Sequence, residues 1–531
     1  MDILFQSGSD KACVTLPAET WKDLAMDEIV GRITSSPEEK GILRTIASQI
    51  PKNTEDIRFR QEIFKDLHNH PELRQALYDS LGMIRTLKDF SGARKAVSNK
   101  DNALYTLLQD LRSLSAYVET THYLSEKLCA YDITSRGLLD LKEELVRITS
   151  AEDFEKARED IKIMLEDLST VKSAIIGVNF TPDLSISEIS AVEFLPYQTR
   201  SKYRFAEVAA SISMLTAYGQ AAQHAGMAQF TSRKFEDPLL VNMAPKIEKH
   251  LKRHFTSLKQ VLAKYTNLDS HFITEMYEGL TFYLSFAKYA ETLKKNGYEI
   301  CIPEVSETEG NVFEVKDFYN LRLANLEEKE IVKNDFSFSE EENIFILTGP
   351  NRGGKTILEQ GLGIISLMAS LGLFVTAKTC KGMPFQNILT HFPIDENLTI
   401  NYGRLGEEAK RIHDIVKVVD NRSLVLFNET YSTTSSSDAL YLSQDLIHIL
   451  KEKGTAVIFN THIHELGRTI DEMNAFEGKS RVVSLVMEIV DNQNTFRVKR
   501  SEPDCCSYAR NIALKYGITY EQMKADADKS K

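Results

Sequence analysis

Apolar and polar residues recur along this chain with two different periods, and the change comes near residue 298. From residue 23 to residue 298 apolar positions return at helical spacing, charged stretches are long, and glycine and proline are scarce. The clearest apolar stripes are Ile273, Met276, Tyr277, Leu280 and Leu284, and, one segment earlier, Leu258, Val261, Leu262 and Tyr265. We therefore predict a mainly α-helical first part in which these stripes are buried.

One segment interrupts the helical pattern. Residues 174–180 are apolar and rich in β-branched side chains, Pro182 and Asp183 favour a turn, and residues 189–195 have strand character again. This pattern predicts a small strand-bearing insertion between two helical arms.

After residue 297 short apolar runs alternate with helical stretches. The runs 344–347, 424–427 and 456–459 are bounded by turn-forming or charged residues, as is typical of a largely parallel sheet covered by helices. Residues 484–498 are typical of a hairpin. This half is predicted to be an α/β domain.

A glycine-rich loop lies between the run 344–347 and the helical stretch that follows it. It consists of Gly349, Pro350, Asn351, Arg352, Gly353, Gly354, Lys355 and Thr356, and it satisfies G-x-x-x-x-G-K-[ST] in full. In this context its backbone N–H groups surround phosphates, the lysine reaches the terminal phosphates, and the Ser/Thr hydroxyl faces magnesium. The loop predicts a nucleotide-binding site.

Two further polar segments follow apolar runs. Asn428 and Glu429 follow the run 424–427, where many ATPases carry two carboxylates, and His462 follows the run 456–459. Glu429 is a candidate general base or an ordinary solvated strand end. His462, His464 and Glu465 do not have the H-E-x-x-H spacing of a zinc site.

Bulk properties limit the class of protein only loosely. The chain has 531 residues, is 42% hydrophobic and carries a formal net charge of −12, which leaves a local basic face possible. Its six cysteines include no C-x-x-C pair, and no apolar run reaches the roughly 18 residues of a membrane helix. The start of the chain lacks the pattern of a secretion signal. We therefore expect a cytoplasmic protein without a membrane segment.

Several motifs in the second half resemble, in the same order, the ATPase core of the MutS family of DNA mismatch-repair proteins. The loop, in the context TGPNRGGKT, resembles the family's TGPNMGGKS. Residues 332–335, 424–429, 434–438, 460–466 and 507–513 resemble V-x-N-D, L-V-L-x-D-E, T-S-T-x-D, A-T-H-x-x-E-L and S-Y-G-x-x-V-A. The resemblance is close from about residue 311 to residue 525.

The resemblance implies a fold and a domain order. It implies an α/β P-loop, ABC-type ATPase domain at residues 306–505, preceded by a mainly α-helical lever- and clamp-like domain at residues 1–305. The strand-bearing insertion near residues 172–200 would be the clamp, and residues 506–531 a C-terminal helical dimerisation segment. The family's mismatch-reading domain, with its Phe-x-Glu wedge, has no counterpart in the sequence, so we expect a truncated member.

Roles for single residues follow from the same resemblance. Residues 349–356 would hold ATP, with Ile331 and Asn334 also at the nucleotide, and Thr356 and Asn428 would support Mg²⁺. Glu429 would activate water, and His462 would sense the γ-phosphate. The family works as a dimer, so a homodimer that contacts the DNA backbone is expected.

The sequence departs from the family around this centre. Asn428 replaces an Asp, Ile331 stands where the family often has an aromatic residue on adenine, and residues 431–433 replace Gly-Arg-Gly. Gly403 and Arg404 replace Ser-Thr, and Arg404 is either a substitute positive charge or a surface residue. We expect retained ATP binding, weaker Mg²⁺ binding and slower hydrolysis.

Three functions remain open at this point. The leading one is an ATP-dependent DNA-binding protein of MutS type, acting in mismatch repair or a related repair or recombination process. The second is a non-hydrolysing ATP-gated clamp or scaffold that acts through protein partners, and the third is an ABC-like ATPase without DNA. Candidate DNA-backbone contacts, or merely solvated helix faces, are Arg94, Lys95, Lys100, Lys246, Lys249, Lys252, Arg253 and Lys259.

Overall fold

A computed structural model describes most of the chain. The described residues are 2–96, 103–170, 172–183, 186–198, 252–265, 271–306, 312–326, 330–350, 352–393, 404–432, 434–490, 493–502 and 516–529. Contacts group the chain into two compact units. Unit 1 comprises Met1–Tyr78, Tyr131–Asp140 and Glu278–Lys531, and unit 2 comprises Asp79–Ala130 and Leu141–Tyr277.

The strands and helices are numbered in chain order. The strands are β1 Cys13–Thr15, β2 Gln49–Pro51, β3 Ser173–Phe180, β4 Ile186–Leu195, β5 Glu304–Val305, β6 Phe313–Phe318, β7 Asn334–Phe338, β8 Glu342–Thr348, β9 Thr379–Gly382, β10 Asn387–His391, β11 Ser423–Asn428, β12 Ala456–Asn460, β13 Arg481–Val490 and β14 Gln493–Arg500. The helices are α1 Ala18–Asp23, α2 Met26–Ile33, α3 Pro37–Ala47, α4 Thr54–Asn69, α5 Pro71–Ala96, α6 Ala103–Cys129, α7 Arg136–Thr149, α8 Glu152–Ser169, α9 Lys252–Lys264, α10 His271–Lys295, α11 Leu321–Asn325, α12 Lys355–Ser370, α13 Arg404–Val418, α14 Ser436–Lys453, α15 His464–Arg468, α16 Ile470–Ala475 and α17 Tyr520–Lys529.

The main sheet of unit 1 has six strands in the order β10-β11-β12-β8-β13-β14. The first five run parallel, and β14 pairs antiparallel with β13. The predicted α/β region is therefore present, and so are the three apolar strands and the late hairpin. A second sheet, in the order β5-β9-β6-β7, belongs to the same unit.

Both faces of the sheet are covered at its central strands, which explains why β8, β11 and β12 carry runs of consecutive apolar residues. On one face Val425 and Phe427 pack with Ile412 and Ile415 of α13 and with α14. On the other face Leu426 lies against α12, whose residues from Leu358 to Ser370 are all buried. Strands buried on both faces lose the alternation that marks a half-exposed strand.

The N-terminal segment belongs to the same unit as the main sheet. The Asp23 carboxylate accepts a hydrogen bond from Thr390 Oγ1 at 2.6 Å and pairs with Arg411 at 3.0 Å, while Gln360 Nε2 donates to the Asp23 carbonyl at 2.7 Å. The contacts thus place residues 1–78 in one unit with the main sheet, whereas the expected domain boundary lies at residue 305. The physical reason is that buried polar contacts, which sequence periodicity does not reveal, join α1 to β10 and α12.

The described residues of unit 2 are mainly helical, and they include the hairpin of β3 and β4. Leu111 of α6, Met164 of α8 and Leu258 of α9 form a buried cluster, with Val261 and Leu262 packed against it. Strands β3 and β4 pair antiparallel, Ser173 opposite Leu195, so the predicted strands of the insertion are present. The two predicted helix stripes are confirmed, since their residues are buried or packed against the core.

Within the described parts of the chain, no helix combines the length and the apolarity that crossing a bilayer requires. Several predicted residues fall elsewhere: Asn351, Gly403, Thr433, Lys100, Lys246 and Lys249 lie outside the described residues, and of Arg94, Lys95, Lys252, Arg253 and Arg404 only the backbone is described. Lys259 is exposed on α9.

Candidate nucleotide-binding site

The polar residues predicted for the site meet at one edge of the main sheet. Because β8, β11 and β12 run parallel, their carboxyl ends lie side by side, with Asn428 opposite Asn460 and Asn460 opposite Leu347. Loops at this edge of an open parallel sheet commonly form ligand sites. Residues far apart in the chain are therefore neighbours here.

The glycine-rich loop turns sharply between β8 and α12. Gly349 and Gly354 have φ of +140° and +94°, a backbone region that favours glycine, and the non-glycine Arg352 has φ of +64°. The loop also passes close to β13, since a Cβ on Gly349 would lie 2.9 Å from Met487 Cβ. Helix α12 begins directly after the loop, so its first N–H groups are available to an anion.

Lys355 is folded back onto the loop that precedes it. Its Nζ donates to the carbonyls of Gly349 at 3.0 Å and Pro350 at 3.2 Å, and the residue is only 6% exposed. Burial lowers the pKa of this ammonium, while Glu429 and Glu359 oppose the shift. A phosphate at the loop would restore a partner of full opposite charge.

Behind the loop, four side chains form a connected chain of hydrogen bonds. Thr356 Oγ1 donates to Asn428 Oδ1 over a long 3.4 Å, and Asn460 Nδ2 donates to the same oxygen at 2.8 Å. Asn460 Nδ2 also donates to Glu359 Oε2 at 3.2 Å. Thr356 and Asn428, the two predicted magnesium-supporting residues, are thus in contact.

Glu429 and His462 form a pair at the mouth of the site. His462 Nε2 lies 2.7 Å from Glu429 Oε1, and both side chains are partly exposed. Glu429 has φ of +54°, although it is not glycine, and its N–H donates to the Asn460 carbonyl at 2.9 Å. Strained backbone of this kind, held by its surroundings, is common at functional sites. The two predicted catalytic residues are brought together.

The loop following Glu429 rests on a buried histidine. Thr430 Oγ1 lies 3.2 Å from His391 Nδ1 at the end of β10, and both residues are buried. Burial, with Arg411 nearby, lowers the pKa of His391 to about 4. The imidazole is therefore neutral at physiological pH. Tyr431, a departure from the family, is buried with φ of +62°.

A cavity of about 640 Å³ opens beside these groups. Lys355, Thr356, Glu429 and His462 line one side, and Ile331 and Asn334 line it as well. Ligand sites typically have about 300 to 1,000 Å³, so a nucleotide fits by volume. Of the predicted site residues that the structure describes, all except Gly349 and Asn428 line this cavity.

Asn334 serves as a link between strands. Its Nδ2 donates to the Phe496 carbonyl at 3.1 Å, and its Oδ1 accepts from the Val498 N–H at 2.8 Å. Phe496 is itself 46% exposed, with φ of +58°, and it lines the cavity. Asn334 thus holds β14 at the site with both ends of its amide.

Sequence reasoning missed Asn460, Glu359 and Phe496. Asn460 stands where the resembling motif has alanine, and Glu359 is an acid within an otherwise largely apolar helical run, so each had a signal. No sequence signal indicated that Phe496 lies at the site, because only the pairing of β13 with β14 brings it to the loop. A group of three or more residues suited to a metal is absent from the described residues.

Strand, glycine-rich loop, buried lysine and following helix together define a P-loop ATPase domain. In agreement with this class, residues 345–520 match the sequence model of MutS domain V. Residues 345–520 therefore correspond to a domain of the MutS family, and the chain is similar to curated proteins named MutS and MutS2.

Among curated relatives, "Endonuclease MutS2" of Staphylococcus carnosus is 30% identical over 200 residues, which is 37% of this chain and 24% of that protein. "DNA mismatch repair protein MutS" of Lactobacillus johnsonii is 26% identical over 255 residues, 44% of this chain and 29% of that protein. The protein of the same name from Fervidobacterium nodosum is 29% identical over 258 residues, 48% and 29% respectively. The chain therefore matches less than a third of the length of each of these relatives.

Proposed function

We propose that this chain is an ATP-dependent DNA-binding protein of MutS type, acting in mismatch repair or a related DNA repair or recombination process. One observation carries the proposal. Lys355, Thr356, Glu429 and His462 border a single nucleotide-sized cavity at the carboxyl edge of the sheet, and Asn428 lies behind it in contact with Thr356. The relatives' names, which specify mismatch repair for MutS, support the biological setting.

Each residue has a proposed part in this site. Residues 349–356 bind the phosphates, and Thr356 offers its hydroxyl to Mg²⁺, which when bound neutralises phosphate charge. Glu429 accepts a proton from water or orients it, and His462, which contacts Glu429 at 2.7 Å, holds this carboxylate and responds to the terminal phosphate. Ile331 borders the base without an aromatic face.

Asn428 determines how fast the proposed reaction runs. An amide accepts hydrogen bonds but carries no charge, so it attracts Mg²⁺ less than an Asp at the same place. We propose slow hydrolysis in which ATP binding, more than turnover, switches the protein. The same observation favours a second candidate, a clamp or scaffold that binds ATP without hydrolysing it and acts through protein partners.

Coupling to DNA is the larger step of the proposal. We propose that the helical region of residues 1–305, with the hairpin β3–β4, acts as lever and clamp, and that residues 506–531 support a homodimer. DNA would be held by its phosphates, so the affinity would fall steeply with salt. Nucleotide state would then control opening and closing.

The decisive experiment measures ATP binding and Mg²⁺-dependent turnover of the full chain, with and without DNA. Lys355→Ala should weaken ATP binding by at least about 30-fold, because it removes a buried positive charge from the phosphates. Glu429→Gln should leave binding intact and slow turnover roughly 100-fold or more. Unchanged ATP binding in Lys355→Ala would contradict the proposed site.

Asn428→Asp separates the two candidates. A slow ATPase should gain Mg²⁺-dependent turnover when the carboxylate is restored, whereas a non-hydrolysing clamp should show turnover in neither form. DNA binding is then measured at two salt concentrations with ATP, with ADP and without nucleotide. Absence of DNA affinity at low salt in every state would overturn the DNA part of the proposal and favour protein partners.

A further inference from the structure

Two of the departures from the family are partners in the structure. Asn428, in place of Asp, and Asn460, in place of Ala, lie opposite each other on β11 and β12, and their side chains are hydrogen-bonded at 2.8 Å. Asn460 also contacts the fully buried Glu359 of α12. Three polar side chains thus form one connected group behind the phosphate loop.

The direction of these hydrogen bonds follows from their chemistry. Asn460 Nδ2 has two hydrogens, and both are used, one for Asn428 Oδ1 and one for Glu359 Oε2. If the Asn460 amide were turned over, its own oxygen would face two acceptor oxygens. Because a carboxylate only accepts hydrogen bonds, the ionised form of Glu359 favours the orientation in which Asn460 donates.

This orientation determines what Thr356 can do. With Asn460 donating to it, Asn428 presents its oxygen, not its NH₂ group, to the Thr356 hydroxyl. Thr356 then points its proton towards Asn428, which leaves the hydroxyl lone pairs directed elsewhere. A hydroxyl that binds a cation must offer a lone pair, so this is the productive direction.

The arrangement is costly for folding, which argues that it serves the site. Glu359 Oε1 and Asn460 Oδ1 are buried without a hydrogen-bond partner among the described residues. Burial raises the pKa of Glu359 well above its usual value and Asp23 and Glu429 add to the rise, while the hydrogen bond from Asn460 and the charge of Lys355 oppose it. Buried polar atoms without partners are rare and destabilising.

We propose that Glu359 is a positioning residue for the magnesium side of the nucleotide site, and that it acts through Asn460 and Asn428 to direct the Thr356 hydroxyl. Glu359 sets the direction of the hydrogen bonds, and the two amides transmit it. The inference rests on the proposed binding of Mg²⁺–ATP at this loop. It also explains how an amide at position 428 works in place of a carboxylate.

The test compares Glu359→Gln in the wild-type background and in an Asn428→Asp background. Binding of a fluorescent ATP analogue is measured with Mg²⁺ and with EDTA. A glutamine presents either an oxygen or an NH₂ group, so the preference for one direction is lost. Affinity with Mg²⁺ should fall roughly 10- to 100-fold, as is usual when a partner of a metal-binding residue is removed, and affinity with EDTA should not change.

In the Asn428→Asp background the same change should have no effect. Both oxygens of an Asp are acceptors, so Thr356 donates to it whatever Asn460 does. A merely structural role of Glu359 predicts the same loss in both backgrounds, and that result would overturn the inference, as would no loss in the wild-type background.

Two further variants keep the test interpretable. Asn460→Ala breaks the connection without placing a new group beside the helix, and should likewise lower Mg²⁺-dependent affinity only when residue 428 is Asn. Ser370→Ala is the matched control, because it removes a buried hydrogen bond to the Phe385 carbonyl from the same helix and should not alter nucleotide binding. If the wild-type protein binds no nucleotide, the proposed function fails and the inference fails with it. If it binds nucleotide but Glu359→Gln has the same effect on Mg²⁺-dependent affinity in both backgrounds, only the inference fails.

Discussion

Two of the buried carboxyl groups of unit 1, Asp66 and Glu359, have surroundings that differ sharply. Asp66, 3% exposed, accepts from the N–H groups of Thr134 and Ser135 at 2.9 and 2.7 Å and from Thr134 Oγ1 at 2.9 Å, just before α7. Glu359, 0% exposed, has the single donor Asn460, and one of its oxygens has no partner among the described residues. One acid is fully bonded and the other is not.

The difference separates a structural acid from one that belongs to a ligand site. A carboxylate that receives several N–H and O–H donors stabilises the fold, since each bond to a charged acceptor contributes. A buried acid with too few donors destabilises it, and is retained where the site needs it. Removing Asp66 and removing Glu359 should therefore have opposite effects on stability.

Asp66→Ala should produce the largest loss of stability. Three donors lose a charged acceptor, and at about 1.5 kcal/mol each the free energy of unfolding should fall by about 4 kcal/mol. Urea denaturation measures this, and ATP affinity of the folded protein should not change. Asp66→Asn, which keeps one acceptor oxygen, is the graded control and should lose less. If Asp66→Ala lowered the free energy of unfolding by less than an ordinary surface substitution does, Asp66 would not be a structural acid and would not differ from Glu359 in this respect.

His391 extends the comparison to a buried base beside the site. Its pKa is lowered from 6.5 to about 4, so the unfolded chain binds a proton first as the pH falls. His391 therefore costs no stability above pH 6.5. As the pH falls from 6.5 to 4, this group lowers the free energy of unfolding by up to about 3 kcal/mol.

His391→Asn removes the titration and retains an acceptor for Thr430. The variant should lose less stability than the wild type between pH 7 and pH 5, as measured by urea denaturation at each pH. His68, whose pKa burial also lowers to about 4, is present in both proteins and cancels in the difference. Parallel pH profiles would show that His391 is not held neutral by the fold.

Glu359→Gln should stabilise the fold even as it impairs the site. A glutamine is neutral, so the variant no longer buries an acid that has too few donors, and we expect a gain of about 1 kcal/mol. Because the pKa of Glu359 is raised, its wild-type contribution is most favourable at low pH and declines as the pH rises. The gain should therefore be larger at pH 8 than at pH 5. If Glu359→Gln instead destabilised the fold as much as Asp66→Ala does, Glu359 would be a structural acid like Asp66.

Ser435→Ala should give the smallest effect. Ser435 is the N-cap of α14, where its Oγ accepts from the Asp438 N–H at 3.2 Å, and this cap is exposed to water. The expected loss is about 0.5 kcal/mol, near the lower limit for N-caps. Thermal unfolding compares it with Ser436→Ala at the neighbouring exposed position, which should be close to neutral. An equal loss in both would show that the cap contributes nothing.

The sequence by itself determined the elements and the phosphate loop. Short apolar runs with turn residues on either side predicted β8, β11 and β12, because a strand buried on both faces needs apolar residues at consecutive positions. The loop was predictable because its chemistry is local: glycines, lysine and threonine act within eight consecutive positions. Glu429 and His462 were predictable as strand-end residues.

Only the tertiary structure decided which side chains meet. Asn428 and Asn460 are 32 positions apart, Thr356 and Asn428 72, and Glu359 and Asn460 101, so no local period connects them. The placement of residues 1–78 in unit 1 and the approach of Phe496 to the loop were equally invisible in the sequence. Periodicity reports what an element buries, whereas a hydrogen bond between distant residues exists only once parallel strands have aligned their ends.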